Sequence, residues 1–310
     1  MRAAQISEYG GPEVLTFTDQ ASKPEPAANQ VLVAVQAAGV NPFDVAVREG
    51  YARQMAELNF PATLGGDFAG TVAAVGEGVT DFEVGQAVFG QAGSLSGHGS
   101  FADFAPVKVA SLAAKPESVD FVTAAALPLV SASALQALEF LQPKTDQRIL
   151  IHGGAGGIGS VAIQLAKHTG AYVITTAAAS DTDFLKGLGA DEVIDYENQD
   201  FSQELSDIDA VFDTVGGETN KKSYTVLKDG GAFVSMIEAA DDEMVANKHL
   251  RYDHQFTRTT TERLSEVAKL VDAGDLKVNI DKVFPLEEAG EALNYLKTGH
   301  PKGKVVIQVS

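Results

Sequence analysis

In the stretch HGGAGGIGSVAIQLAKHTGA (His152–Ala171), glycines stand at 154, 156 and 159. An apolar run, ILIHG (Ile149–Gly153), precedes them. An amphipathic helical pattern follows from about Ile158 to Thr169, and then a second apolar run, YVITT (Tyr172–Thr176). Strand, G-x-G-x-x-G loop, helix and strand in this order are the setting in which a dinucleotide is held. Gly154 permits the tight turn, Gly156 lets the backbone approach a pyrophosphate, and Gly159 lets helix and strand pack closely. The phosphates would rest on unpaired N–H groups at the helix N-terminus, where the dipole favours anions. The expected cradle is therefore Gly154, Ala155, Gly156, Gly157, Ile158 and Gly159.

The end of the second strand bears on which dinucleotide is taken. An Asp or Glu about 20 residues beyond the glycines would hold a ribose without a 2′-phosphate. This chain has Thr175, Thr176, Ala177, Ala178, Ala179 and Ser180 instead, with no carboxylate before Asp181. Small neutral residues leave room for the phosphate, although no Arg or Lys is there to hold it. Ser180 and Asp181 also suit the cap of a following helix. NADPH is the expected cofactor, and NADH stays open.

The elements that must position this loop read as alternating strands and helices. Helical texture covers Phe121–Leu141, with Pro128 breaking it into two pieces. Further strands are expected at Glu192–Asp195, Ala210–Val215 and Gly231–Ile237, and a short helix at Phe184–Leu188. This alternation argues for βαβ units and a parallel sheet. The first third is different. Gln30–Val40, Gly70–Val79 and Glu83–Gly90 read as strands among glycines and prolines, as in a small barrel with long connections. After roughly Asn247 the pattern turns back, with a helix at Thr260–Ala273, a strand at Val278–Phe284, a helix at Leu286–Lys297 and a last strand at Lys304–Val309. This tail is expected to complete the first domain.

Composition narrows the partners. Of 310 residues, 45% are hydrophobic and 21% charged, which suits a folded chain of two ordinary domains. A formal charge of −19 repels phosphate backbones, so nucleic acid is a poor partner. No apolar run is long enough to span a bilayer and no secretory signal is evident, so a cytoplasmic protein without a membrane partner is expected. There is no cysteine, which removes disulfides, thiolate nucleophiles and thiolate zinc sites together.

Asp146-Gln147-x-x-Leu150-x-x-x-Gly154-Ala155-Gly156-Gly157-x-Gly159-x-x-x-x-Gln164-x-x-Lys167 resembles the signature of the zinc-free quinone oxidoreductases and ζ-crystallins, within the medium-chain dehydrogenase/reductase superfamily. The likeness continues through GVNPFDVAVREGY (Gly39–Tyr51), Leu64–Gly90, Leu127–Glu139, Leu188–Tyr196 and Pro285–Ile307, in the family's order. It implies an α/β fold: a Rossmann doubly wound parallel sheet plus a GroES-like β-barrel domain, with the site in the cleft between them. The expected boundaries are 1–120 and 256–310 for the catalytic domain and 121–255 for the dinucleotide-binding domain. The resemblance also implies a homodimer and no zinc. Zinc-dependent relatives carry a cysteine where this chain has Asn41, and a glutamate where it has Asp67. His98, alone in a glycine-rich loop, is expected to be solvated.

The same resemblance assigns site residues. Asn41 and Tyr51 would face nicotinamide and substrate, each able to donate a hydrogen bond to a developing oxyanion. Asp44 would hold the loop, act in catalysis or pair with Arg48. Ser133, Thr176, Ser180, Tyr196, Val215 and Ser235 would line the cofactor with Asn41. The implied activity is hydride transfer from NADPH to a quinone or other conjugated carbonyl. Two alternatives remain: an enal or enone reductase, and a dinucleotide-binding sensor or structural protein with little turnover.

Overall fold

The computed structural model describes every residue from Met1 to Ser310. The chain divides into two compact units, Met1–Leu129 with Thr259–Ser310, and Val130–Arg258. The first unit thus reaches beyond residue 120 and takes in Phe121–Leu129.

The first unit opens with β1 (Ala3–Ile6), β2 (Leu15–Thr18) and β3 (Gln30–Val40). Helix α1 (Pro42–Glu49) follows, then β4 (Ala62–Thr63), β5 (Asp67–Val75), β6 (Ala87–Gln91), β7 (Phe104–Lys108), β8 (Leu112–Ala114) and α2 (Phe121–Ala125). Sequence periodicity does not single out α1. Pro42 in its first turn needs no N–H partner there, and Gly50 at φ 82° closes it in the left-handed region. The strand expected from Gly70 begins earlier, at Asp67. The expected helix over 121–141 is broken ahead of Pro128, which opens the second piece, α3 (Pro128–Leu141).

The second unit runs β9 (Arg148–His152), α4 (Gly157–His168), β10 (Tyr172–Ala177), α5 (Thr182–Gly187), β11 (Glu192–Asp195) and α6 (Phe201–Glu204). It continues with β12 (Ile208–Asp213), α7 (Gly217–Val226), β13 (Leu227–Ser235), α8 (Asp242–Asn247) and β14 (Arg251–His254). The strands form one six-stranded sheet in the order β11-β10-β9-β12-β13-β14, parallel throughout. Reversal of strand order on either side of β9 makes a crevice at the C-terminal strand ends. Leu150, Ile174, Ile194, Val211 and Phe233 fill its core. The pattern does not turn back after Asn247 as expected. Its RYDH segment is polar because β14 is an edge strand, without the continuous apolar run of a central one.

The return segment carries α9 (Thr261–Ala273), β15 (Ile280–Pro285), α10 (Ala289–Thr298) and β16 (Lys304–Gln308). β16 pairs antiparallel with β3, Val305 opposite Val40, so the last strand lies beside the third. That sheet has seven strands, and a smaller one joins β2, β1 and β4. Val33, Phe68, Phe101 and Ile307 are among the residues of its core. No helix is long and apolar enough to cross a membrane.

Candidate active site

Strand ends bring distant polar residues together in the antiparallel unit. β3 ends at Val40, β5 begins at Asp67 opposite Gly39, and β16 begins at Lys304. Asn41 therefore sits between Asp67 and Lys304. The Lys304 amine donates to Val40 O at 2.7 Å and to Asn41 Oδ1 in a short contact. Asn41 Nδ2 donates to Asp67 Oδ2 at 2.9 Å, and Lys304 Nζ lies 3.8 Å from that oxygen. The other carboxylate oxygen of Asp67 accepts the Leu129 N–H at 3.1 Å, in the first turn of α3, where unpaired N–H groups favour an anion.

All of these side chains are buried, and so is Asp44. Burial disfavours charge. It raises the Asp67 carboxyl above its ordinary range and lowers the Lys304 ammonium, while their mutual attraction opposes both changes. Burial also pushes Asp44 up to about 7, against the hydrogen bond from the Asn41 N–H. That bond, 2.8 Å to Asp44 Oδ2, ties the side chain to the start of α1, and the expected pairing with Arg48 is not made. Arg48 instead donates to Glu49, and its Nε and Nη1 lack acceptors in the protein. Tyr51 is 78% exposed just after the turn at Gly50.

In the parallel unit, β9 delivers His152 to the glycine loop. The residue in the left-handed region is Gly153, at φ 74°, so the tight turn belongs to it and not to Gly154. Gly154 is required for another reason: a Cβ there would meet Thr175 Oγ1 of β10 at 2.1 Å. A Cβ at Gly159 would lie 2.2 Å from the Gly153 carbonyl. Gly156 differs from both, since its nearest atom would be 3.4 Å away. Positions 154 and 159 let strand and helix approach, and 156 leaves the loop surface open at the start of α4.

His152 is the residue that sequence reasoning missed here. Its ring nitrogens meet Thr176 Oγ1 and Ser223 Oγ, each at 3.0 Å. Ser223 donates its own proton to Thr219 O, so it accepts from His152 Nε2, and Nδ1 is left to accept from Thr176. Burial lowers the imidazole to about 4, with Asp213 opposing, so the ring is neutral. The Thr176 hydroxyl in turn accepts the Gly153 N–H at 3.4 Å.

At the C-terminal strand ends, Asp213 accepts from the N–H groups of Val215 and Gly216, from Asn220 Nδ2 and from Ser235 Oγ. The Ser235 hydroxyl also accepts the N–H groups of Ile237 and Glu238, which commits its donor and both lone pairs to the loop. Ser133 Oγ lies 2.7 Å from Thr257 Oγ1. Ser180 and Asp181 share a short 3₁₀ turn, where Ser180 Oγ reaches Asp181 Oδ1 at 3.4 Å. Asp181 makes no side-chain cap to α5. Tyr196 and Val215, at the ends of β11 and β12, are 58% and 52% exposed.

Sequence comparison agrees with this architecture. Residues 27–117 match the alcohol dehydrogenase GroES-like domain, and residues 188–307 match the family described as zinc-binding dehydrogenase. The chain is 33% identical to the chloroplastic NADPH-dependent alkenal/one oxidoreductase of Arabidopsis thaliana, over 99% of this chain and 79% of that protein. The solved quinone oxidoreductase of Coxiella burnetii superposes with a TM-score of 0.92 at 36% identity, covering 100% of this chain and 99% of that one. The Escherichia coli quinone oxidoreductase, solved in complex with NADPH, gives 0.89 at 27% identity with full coverage of both chains. A Rossmann sheet joined to a GroES-like domain, with relatives of this kind along its whole length, places the chain in the medium-chain dehydrogenase/reductase superfamily, among the quinone oxidoreductases and alkenal reductases.

Proposed function

We propose that this protein transfers hydride from NADPH to the conjugated carbonyl system of a small molecule, a quinone or an alkenal, without zinc. The observation that carries the reading is the Gly153–Gly159 loop. It is closed to side chains at 154 and 159, open at 156, and set at the start of α4 beside a strand-order reversal. In this reading the N–H groups of Gly154 to Gly159 hold the pyrophosphate. Tyr196 and Val215 flank the adenosine and nicotinamide ends, and Ser133 with Thr257 contacts the cofactor. Ser235 and Thr176 act through the loops they fix. Val130–Arg258 serves as the cofactor domain and the remainder as the catalytic domain, and the open edge of β14 supports a homodimer.

The bound nicotinamide supplies the hydride. The chain orients the reactants and stabilises the negative charge that develops on oxygen. Asn41 and Tyr51 donate hydrogen bonds to that oxygen.

Zinc does not fit the donor set of the antiparallel unit. Catalytic zinc takes thiolate, imidazole or carboxylate ligands. Here the chain has no cysteine, the residue at 41 is an amide, and Asp67 and Asn41 Oδ1 both face the Lys304 amine. A second cation beside that ammonium would be repelled.

Titration with NADPH and with NADH, followed by nicotinamide fluorescence and then by addition of a small quinone or alkenal, tests the reading. The expected result is tight NADPH binding and its oxidation on adding acceptor, with no loss after dialysis against a chelator. Binding of neither dinucleotide sinks it; binding without turnover of any acceptor favours the sensor.

A further inference from the structure

We propose that Lys304 is a positioning residue for hydride transfer: with Asp67 on the opposite side, it fixes the amide of Asn41 so that one N–H is reserved for the reacting oxygen. This rests on the reading that Asn41 meets that oxygen.

An Asn amide has two nearly isosteric orientations, and its partners decide between them. Lys304 has donors only, so the oxygen of Asn41 must face it. Asp67 accepts the Leu129 N–H on one oxygen and the Asn41 N–H on the other, so nitrogen must face it. Both neighbours require the same orientation. A flipped amide would set N–H against the amine and carbonyl against the carboxylate. Of the two N–H groups on Nδ2, one is given to Asp67, and the other has no partner in the protein.

Lys304 and Asp67 pair only loosely, 3.8 Å apart, and the amide of Asn41 bonds to both at shorter range. The amine is held against Val40 O as well, so its own position is set by the backbone of β3. Three strands, β3, β5 and β16, are thereby coupled to the direction of a single N–H bond. Without Lys304, only Asp67 still opposes the flipped state, which turns a carbonyl oxygen toward an oxygen gaining negative charge. The cost falls on turnover, with little effect on binding of either reactant.

The test is a double-mutant cycle on the full chain with NADPH and a small quinone. Lys304→Met is expected to lower kcat by ~100–1000-fold, the range for loss of one oxyanion donor. The fluorescence Kd for NADPH and the KM for quinone should stay within about twofold of wild type. Asn41→Ala should be comparably slow, and the double variant no more than about twofold slower than either single one. Lys304→Arg, which keeps donors and charge, should recover part of the rate. If Lys304→Met does not fold, as judged by its thermal melt, Lys304→Met with Asp67→Asn removes both buried charges and carries the same expectation. A folded Lys304 variant with wild-type kcat overturns the proposal, as does a cycle in which the two losses multiply. Asn41→Ala at wild-type kcat overturns the reading of Asn41 itself, and a wild type without turnover overturns both.

Discussion

Lys304 lies 263 positions from Asn41, and Asp67 lies 26 from it, yet all three meet in one buried polar cluster. The glycine loop of the parallel unit is built from residues 153–159 and is held by neutral groups: an uncharged imidazole, hydroxyls and backbone carbonyls. In the proposed reading, one region orients a donor with buried ionisable groups, and the other offers bare backbone to a charge that arrives with the ligand. The first must be assembled by tertiary structure. The second is a local device that a short segment can encode.

The sharpest way to break this contrast is at two glycines of one loop. Gly154→Val puts a side chain where Thr175 Oγ1 already lies 2.1 Å from a Cβ, so strand and loop must part. Overpacking of this kind costs about 1–3 kcal/mol or more. NADPH binding is expected to weaken by over ~100-fold, with a lower melting temperature. Gly156→Ala meets nothing closer than 3.4 Å, so it should melt within about 2 °C of wild type. It should nevertheless bind NADPH ~10-fold more weakly, because the methyl occupies the approach of the pyrophosphate. Normal NADPH binding by Gly156→Ala would mean that the phosphates rest elsewhere.

The same contrast explains what could be read without a structure. Gly154, Gly156 and Gly159 announce themselves because their spacing, the preceding ILIH strand and the following helix are contiguous. The strands β3, β9 and β10 are legible for the same reason, each being a largely apolar local run. Gly153 does not stand out as the turn residue, since the motif counts glycines and does not report which one has positive φ. His152 reads only as part of the ILIHG strand, although its neutral ring ties Thr176 to Ser223. Lys304 sits in KVVIQV and reads only as the polar start of a closing strand. No pattern within a window links it to Asn41; the antiparallel register of β16 on β3 does.

The two regions should also respond to pH with opposite slopes. Asp44, raised from 3.8 to about 7, binds its proton more tightly in the folded chain. Its contribution to stability is full below about 3.8 and is lost as pH rises through about 7. His152, lowered from 6.5 to about 4, binds its proton more weakly when folded. Its contribution is present above 6.5 and is lost as pH falls through about 4. Asp44→Asn, which keeps an acceptor for the Asn41 N–H, should flatten the fall in melting temperature between about pH 4 and about pH 7. His152→Gln should flatten the fall on the acid side and leave the alkaline side alone. Each flattening is expected to be a few degrees, on the order of 1–2 kcal/mol. Identical pH profiles for wild type and both variants would show that neither group titrates across folding in these windows.

The smallest expected effect concerns a carboxylate just beyond the C-terminal end of β10. Ser180 and Asp181 follow β10 on a single 3₁₀ turn, and Ser180 Oγ reaches the Asp181 carboxylate. If the 2′-phosphate of NADPH lies against this turn, a carboxylate beside it is unfavourable and a cation would help. Ser180→Lys should therefore lower the Kd for NADPH by ~3–10-fold, as an exposed charge pair contributes about 1 kcal/mol. Its Kd for NADH should change by less than about twofold, because NADH brings no phosphate there. The gain should shrink as salt is raised, since an exposed pair is screened. A Ser180→Lys chain that binds both dinucleotides as wild type does would place the 2′-phosphate away from the turn. Equal tightening toward both would assign the new charge to the pyrophosphate, and so to the neutral glycine loop, where a fixed cation should add least.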